Sequence, residues 1–115
     1  MNKELGQWGE ETAARYLLSK GYKILERNYF TRYGEVDIIC ERDHKLVFVE
    51  VKTRRSSKFG FPEEAITNRK KEHIRKAALL YMEAAKRAYR EISFDVVSIL
   101  LEAGEEKINH IKQAF

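Results

Sequence analysis

Along the chain, apolar residues recur first at helical spacing, then at strand spacing, then at helical spacing again. In 4–20, Leu5, Trp8, Thr12, Ala13, Tyr16 and Leu17 repeat at three- and four-residue intervals, which predicts an amphipathic helix. Gly21 ends it, because glycine tolerates the left-handed geometry of a helix terminus. Segments 22–31, 35–41 and 45–53 are short runs rich in Val, Ile and aromatic residues, and are expected strands. Only Arg42, Asp43 and His44 separate the second run from the third. That is too short for a crossover, so the two should form an antiparallel hairpin. Residues 54–62 read as a polar, basic loop. Over 67–88, Ile74, Ala77, Ala78, Tyr81, Met82 and Ala85 form a second helical stripe. Residues 92–101 predict a fourth strand, Gly104 a turn, and 107–113 a final edge strand. The order αβββαββ predicts an α/β fold, a mixed sheet of about five strands with two main helices packed against it.

A chain of 115 residues suits one domain, spanning 1–115. With 43% hydrophobic and 35% charged residues, it can bury a core and keep a water-compatible surface. Uncharged apolar runs such as Leu46 to Val49 are far short of a membrane span. The first residues lack the apolar segment of a signal peptide, and the single cysteine, Cys40, excludes an internal disulfide and a cysteine-based zinc cluster. A cytoplasmic location is therefore expected. The net charge of +4 is unevenly placed, in KTRRSSK over 52–58, RKKEHIRK over 69–76 and KRAYR over 86–90. Such clusters suit a polyanionic partner, most simply nucleic acid, although ordinary solvated helices carry similar runs.

The hairpin focuses this reading. If its turn is centred between Asp43 and His44, Asp37 lies opposite Glu50 and Glu35 lies opposite Lys52, with all four side chains on one face. Two opposed carboxylates about 5 Å apart repel by roughly 3 kcal/mol at an effective dielectric near 20. Glu50 also sits in the apolar run Val47-Phe48-Val49-Glu50-Val51, which implies partial burial. Lys52 offsets part of the repulsion, and a hard divalent cation such as Mg²⁺ or Mn²⁺ would reverse its sign. The plainer alternative is a solvated face with a Glu35–Lys52 cross-strand pair.

Several segments together resemble the YraN family of small, largely uncharacterised bacterial proteins. They are Gly9-Glu10, Asn28-Tyr29, Gly34-Glu35-Val36-Asp37-Ile38-Ile39, Phe48-Val49-Glu50-Val51-Lys52-Thr53-Arg54, Phe59-Gly60, Thr67 with Lys70, Phe94-Asp95-Val96-Val97, His110-Ile111 and Ala114-Phe115. That family is similar to the PD-(D/E)xK nuclease superfamily and to archaeal Holliday-junction resolvases within it. The superfamily motif is an acid, a spacer, then Glu-x-Lys. Asp37 followed by Glu50-Val51-Lys52 fits it, with Val36 where the motif's non-ligating proline would stand. The resemblance implies a restriction-endonuclease-like core. It implies that Asp37 and Glu50 hold Mg²⁺ or Mn²⁺ with the Val51 carbonyl as a third ligand. Lys52 would orient or help deprotonate the attacking water and offset charge on the phosphorane.

Glu10 falls about 20° from Leu17 on a helical wheel, at the edge of the apolar face. It is a further candidate ligand and catalytic group, or else an acid favouring the helix dipole. Glu35 supports the ligands or pairs with Lys52. Lys70 extends the core-facing stripe of the second helix towards the site or a bound phosphate, or snorkels past the helix end. Arg54, Arg55, Lys58, Lys70 and Lys71 are the candidate nucleic-acid contacts, and Phe59 and Phe61 are candidate stacking residues. His44, His73 and His110 show no metal-ligand spacing, and Cys40 reads as a small core residue. Two functions follow. One is a metal-dependent endonuclease on DNA more readily than RNA, with branched or damaged DNA as the expected substrate. The other is a non-catalytic nucleic-acid-binding module that keeps the fold. The expected edge strand at 107–113 leaves room for a homodimer.

Overall fold

The computed structural model of the chain describes residues 3–56, 58 and 60–115. Helix α1 (Lys3–Ser19) buries Leu5, Ala13 and Leu17, the stripe expected from spacing. It closes with Tyr22 N–H donating to the Leu17 carbonyl and Gly21 N–H to the Leu18 carbonyl, around Gly21 at φ 87°. That is the six-to-one, five-to-two closure of a Schellman end.

Five strands follow in one sheet: β1 (Lys23–Thr31), β2 (Gly34–Arg42), β3 (Lys45–Arg54), β4 (Glu91–Glu102) and β5 (Glu105–Ile111). Their spatial order equals their chain order. All neighbours are antiparallel except β3 and β4, which run parallel. The parallel step requires a crossover. It is made by a short 3₁₀ turn (Pro62–Ala65), which begins where the expected basic loop ends, and by helix α2 (Asn68–Ala85). Thr67 caps α2, its Oγ1 accepting from Lys70 N–H at 3.1 Å. The architecture is the expected α/β fold with order αβββαββ.

The helices take opposite faces. Ala13, Ala14 and Leu17 of α1 pack on Ile38, Cys40, Val47, Val49, Val51, Val97 and Ile99. Ile74, Ala77 and Ala78 of α2 pack on Val36, Ile39, Leu46 and Phe48. Strand β3 is covered on both sides, which explains why its sequence reads as a continuous apolar run. The β2–β3 turn is Asp43-His44, with φ of 53° and 63°, the double left-handed geometry of a tight hairpin turn. No helix among the described residues is long and apolar enough to cross a membrane.

Candidate functional site

The hairpin register sets the site. From the turn, the β2–β3 ladder runs Arg42↔Lys45 to Ile38↔Val49, the expected alignment, and ends one row before Asp37 and Glu50. The β1–β2 ladder breaks at the same level, where Arg27↔Ile38 and Tyr29↔Val36 pair but Asn28 and Asp37 do not. Asn28 there has φ of 51°. Alternation flips across the break. Val36 packs on the α2 side with Ile39, whereas Ile38 and Cys40 pack on the α1 side. Asp37 turns into the gap between the splaying strands, and its Oδ2 accepts the Val51 N–H at 2.8 Å. A side chain thus takes the place of a ladder carbonyl.

Glu50 projects from β3 beside this gap and is 3% exposed. Its Oε2 lies 3.8 Å from Lys52 Nζ and 3.9 Å from Lys70 Nζ, while its Oε1 is buried without a hydrogen-bond partner. Burial pushes the Asp37 carboxyl up to about 8, and the Glu50 charge pushes the same way. The Val51 amide and, more weakly, Lys70 oppose the shift. Asp37 therefore keeps its proton into the neutral range when no cation is present. Lys70, placed by its position just inside the capped end of α2, reaches the site as its helical stripe implies.

One expectation is corrected. Glu35 does not pair with Lys52, and the four residues do not share a face. The ladder stops too early to bring Glu35 opposite Lys52, and the flip at Asp37 sends Glu35 towards α1. Glu35 pairs instead with Phe30 of β1. The consequence is a second acidic group. Glu10 of α1, Glu35 and Asp37 each place a carboxylate oxygen within 4.8 Å of the others. Asn28 Nδ2 joins two of them, donating to Glu10 Oε1 at 2.6 Å and Glu35 Oε1 at 2.9 Å. Burial raises the Glu10 pKa, the Asn28 hydrogen bond lowers it, and Asp37 and Glu35 raise it further. Glu11, one residue on, points elsewhere and pairs with Arg27 at 2.8 Å.

Helix α1 comes this close because Gly9 has no side chain. A Cβ at Gly9 would meet Thr53 Oγ1 at 2.0 Å. The Gly9–Thr53 contact therefore seats the helix on β3 and carries Glu10 to the sheet.

The basic candidates divide. Arg54 and Arg55 are exposed at and just beyond the end of β3, and Lys58 is exposed in the following loop. Lys71 turns away from Glu50, with its Nζ 5.8 Å from the Phe115 ring, which Arg75 also covers at 5.3 Å. Phe61 is 52% exposed, and Phe59 lies outside the described residues.

Two features escape a reading of spacing. Asn28 carries no periodic signal, although asparagine is the side chain that best tolerates its left-handed backbone. The other is a buried network away from the acidic gap. Asp95 accepts from Ser93 Oγ and from Gln113 N–H at 3.1 Å, and its Oδ2 lies 2.7 Å from His110 Nε2. His110 Nδ1 in turn lies 3.2 Å from Tyr16 OH. Burial would raise the Asp95 pKa, but the His110, Ser93 and Gln113 hydrogen bonds outweigh it and hold the carboxyl below its ordinary value. An aspartate inside Ile92-Ser93-Phe94-Asp95-Val96-Val97 was the available signal.

The fold and site define an α/β domain with a mixed five-stranded sheet and an acid–lysine cluster where its central strands part. A model of the uncharacterised protein family UPF0102 matches residues 9–99. The chain is 65% identical to a UPF0102 protein of Syntrophomonas wolfei, covering all of both chains. It is 48% identical to one of Caldicellulosiruptor saccharolyticus, again covering all of both. It is 46% identical to one of Thermodesulfovibrio yellowstonii, over 97% of this chain and 96% of that one. The chain belongs to the UPF0102 family.

Proposed function

We propose that the chain is a divalent-metal-dependent nuclease that hydrolyses phosphodiester bonds in nucleic acid, DNA foremost. The observation that carries this reading is the orphaned, buried Glu50 Oε1 beside an Asp37 whose carboxyl is raised to about 8. A fold rarely keeps two adjoining buried acids, one with an unpartnered oxygen, unless a cation completes them. An all-oxygen donor set suits Mg²⁺ or Mn²⁺.

In this reading Asp37 and Glu50 hold the ion, the Val51 carbonyl completes that side, and Glu10 joins from α1. Glu35 shares the Asn28 clamp with Glu10 and fixes its direction. The bound cation supplies Lewis acidity at the scissile phosphate and lowers the pKa of the attacking water. Lys52 orients that water and, with Lys70, offsets negative charge on the phosphate as it accumulates. Arg54, Arg55 and Lys58 continue the positive path along the nucleic-acid backbone.

Labelled branched, nicked and linear DNA, with RNA beside them, incubated in Mn²⁺ would test this. Cleavage by the wild type that is lost in Asp37→Asn and Glu50→Gln is expected. Absence of cleavage on every substrate, or equal cleavage by the variants, overturns it. Salt-sensitive binding that survives Glu50→Gln with no cleavage anywhere would leave a non-catalytic nucleic-acid-binding module.

A further inference from the structure

The most exposed large apolar side chain described is Phe30, at 75%. It lies on β1, an edge strand of the sheet. Edge strands ordinarily avoid bare aromatic residues, because they invite unwanted pairing. None of the ring–ring or cation–ring contacts among the described residues involves Phe30. Packing therefore does not account for it.

Its position is informative. Phe30 pairs across the β1–β2 ladder with Glu35. Directly opposed residues share a face, with Cβ atoms about 5 Å apart. Glu35 contributes to the oxygen cluster with Glu10 and Asp37. The exposed ring thus stands at the rim of the acidic site. A cation stands at the adjoining hairpin tip, where Arg32 lies 4.9 Å from the Tyr33 ring. An exposed apolar ring beside a candidate metal site, two residues from Arg32, is complementary to one ligand class. That class is a nucleic-acid strand, whose base stacks while its flanking phosphates meet charge. In a continuous duplex every base face is already stacked, so the ring has access only to an unpaired base.

Resting on the nuclease reading above, we propose that Phe30 is a stacking platform for an unpaired nucleobase beside the reacting phosphate. The preferred substrate is then nucleic acid with a single-stranded stretch, flap or displaced base at the cleavage position. Phe30 acts in substrate selection and takes no part in bond breaking.

The test is equilibrium binding of the full chain to a single-stranded oligonucleotide and to a blunt duplex of the same sequence. It is run in Ca²⁺, with the oligonucleotides checked for integrity afterwards. Phe30→Ala should weaken single-strand binding about 5- to 150-fold, the range for loss of one stacked base. Duplex binding should stay within about twofold, and Phe30→Trp should restore the selectivity. Circular dichroism verifies folding of both variants. Unchanged selectivity in Phe30→Ala overturns the proposal. So does absence of any nucleic-acid binding, or a wild-type dimer in sedimentation that Phe30→Ala converts to monomer. That last result would assign the ring to an interface between copies of the chain. Failure of the nuclease reading is separable, because it would leave Phe30-dependent selectivity in Ca²⁺ with no cleavage in Mn²⁺.

Discussion

Strand β3 is flanked by two strands that each carry an inward-turned aspartate, and the two acids have opposite fates. Asp95 on β4 is surrounded by donors, and its carboxyl is held below its ordinary pKa despite burial. Asp37 on β2 has one backbone donor and faces a second carboxylate, and its pKa rises to about 8. The residue type is the same, and the sheet is the same. The difference lies in what the backbone offers. The β3–β4 ladder runs through Asp95, which pairs with Val49, and β5 brings His110, opposite Val97, within hydrogen-bond reach of it. The β2–β3 ladder ends before Asp37 and leaves a gap. A satisfied buried acid holds a fold together, whereas an unsatisfied one is a candidate for a ligand.

Removing the two acids should therefore have opposite consequences, and the largest effect is on activity. Asp37→Asn or Glu50→Gln should lower Mn²⁺-dependent cleavage by about three orders of magnitude, because the cation's contribution is several kcal/mol. The same Asp37→Asn should leave metal-free melting unchanged or raised, since it removes a repulsion. Asp95→Asn or His110→Ala should do the reverse. Leaving a buried hydrogen-bonding group without its partner costs about 1–3 kcal/mol, so melting should fall while the folded fraction keeps its cleavage rate. A metal-free Asp37→Asn that melts as low as Asp95→Asn would erase the distinction.

This contrast was only partly legible in the sequence. Periodicity was enough for α1, for α2 and for all five strands, because their apolar stripes are long and β3 is covered on both faces. Register was legible too, because Asp43-His44 is the natural two-residue turn and fixes Ile38 against Val49. What could not be read is where the ladder stops. Strict alternation put Glu35 on the Lys52 side, but the left-handed Asn28 lets both strands kink, and Glu35 moves to α1. His110 has no local pattern that marks it as a partner of Asp95. Its contact arises from β4–β5 pairing, which is a tertiary fact.

The next effect concerns how α1 supplies Glu10. In Gly9→Ala the added methyl would collide with Thr53 Oγ1 at 2.0 Å, so the helix must shift. Overpacking of this kind costs about 1–3 kcal/mol. Metal affinity should fall with it, because Glu10 rides on the helix. Gly9→Ala combined with Thr53→Ala should recover much of both, as read by calorimetric titration and melting. Failure of the double variant to recover either would mean that Thr53 is not the point of contact.

Proton linkage sharpens the comparison further. The Asp37 pKa is raised from 3.8 to about 8, so the folded, metal-free chain holds a proton that the unfolded chain has released. Stability from this group is present at low pH and declines as pH rises through that window. Asp95 runs the other way, with stability present above its ordinary pKa and lost as pH falls below it. A metal at Asp37 must displace the proton, so its affinity should climb up to about tenfold per pH unit approaching pH 8 and flatten beyond. Asp37→Asn should abolish the climb as well as the affinity, whereas a variant at Asp95 should leave its slope intact. Metal affinity that is flat between pH 6 and 8 would contradict a proton held at Asp37.

The smallest effect separates the cations around the two acids. Arg54 ends β3 two residues beyond Lys52 on the same face, on the path that nucleic acid leaving Glu50 would follow. Arg90 borders the cleft beside Ser93 and Asp95. Each phosphate contact adds about 0.9 to the slope of log affinity against log salt for duplex DNA. Arg54→Ala should therefore reduce that slope by about one unit and weaken binding evenly across sequences. Arg90→Ala should leave the slope unchanged. Equal slopes for both variants would mean that the strand does not run along the end of β3. A loss confined to Arg90→Ala would move the interface to the Asp95 side, and with it the claim that only the unsatisfied aspartate marks the working face.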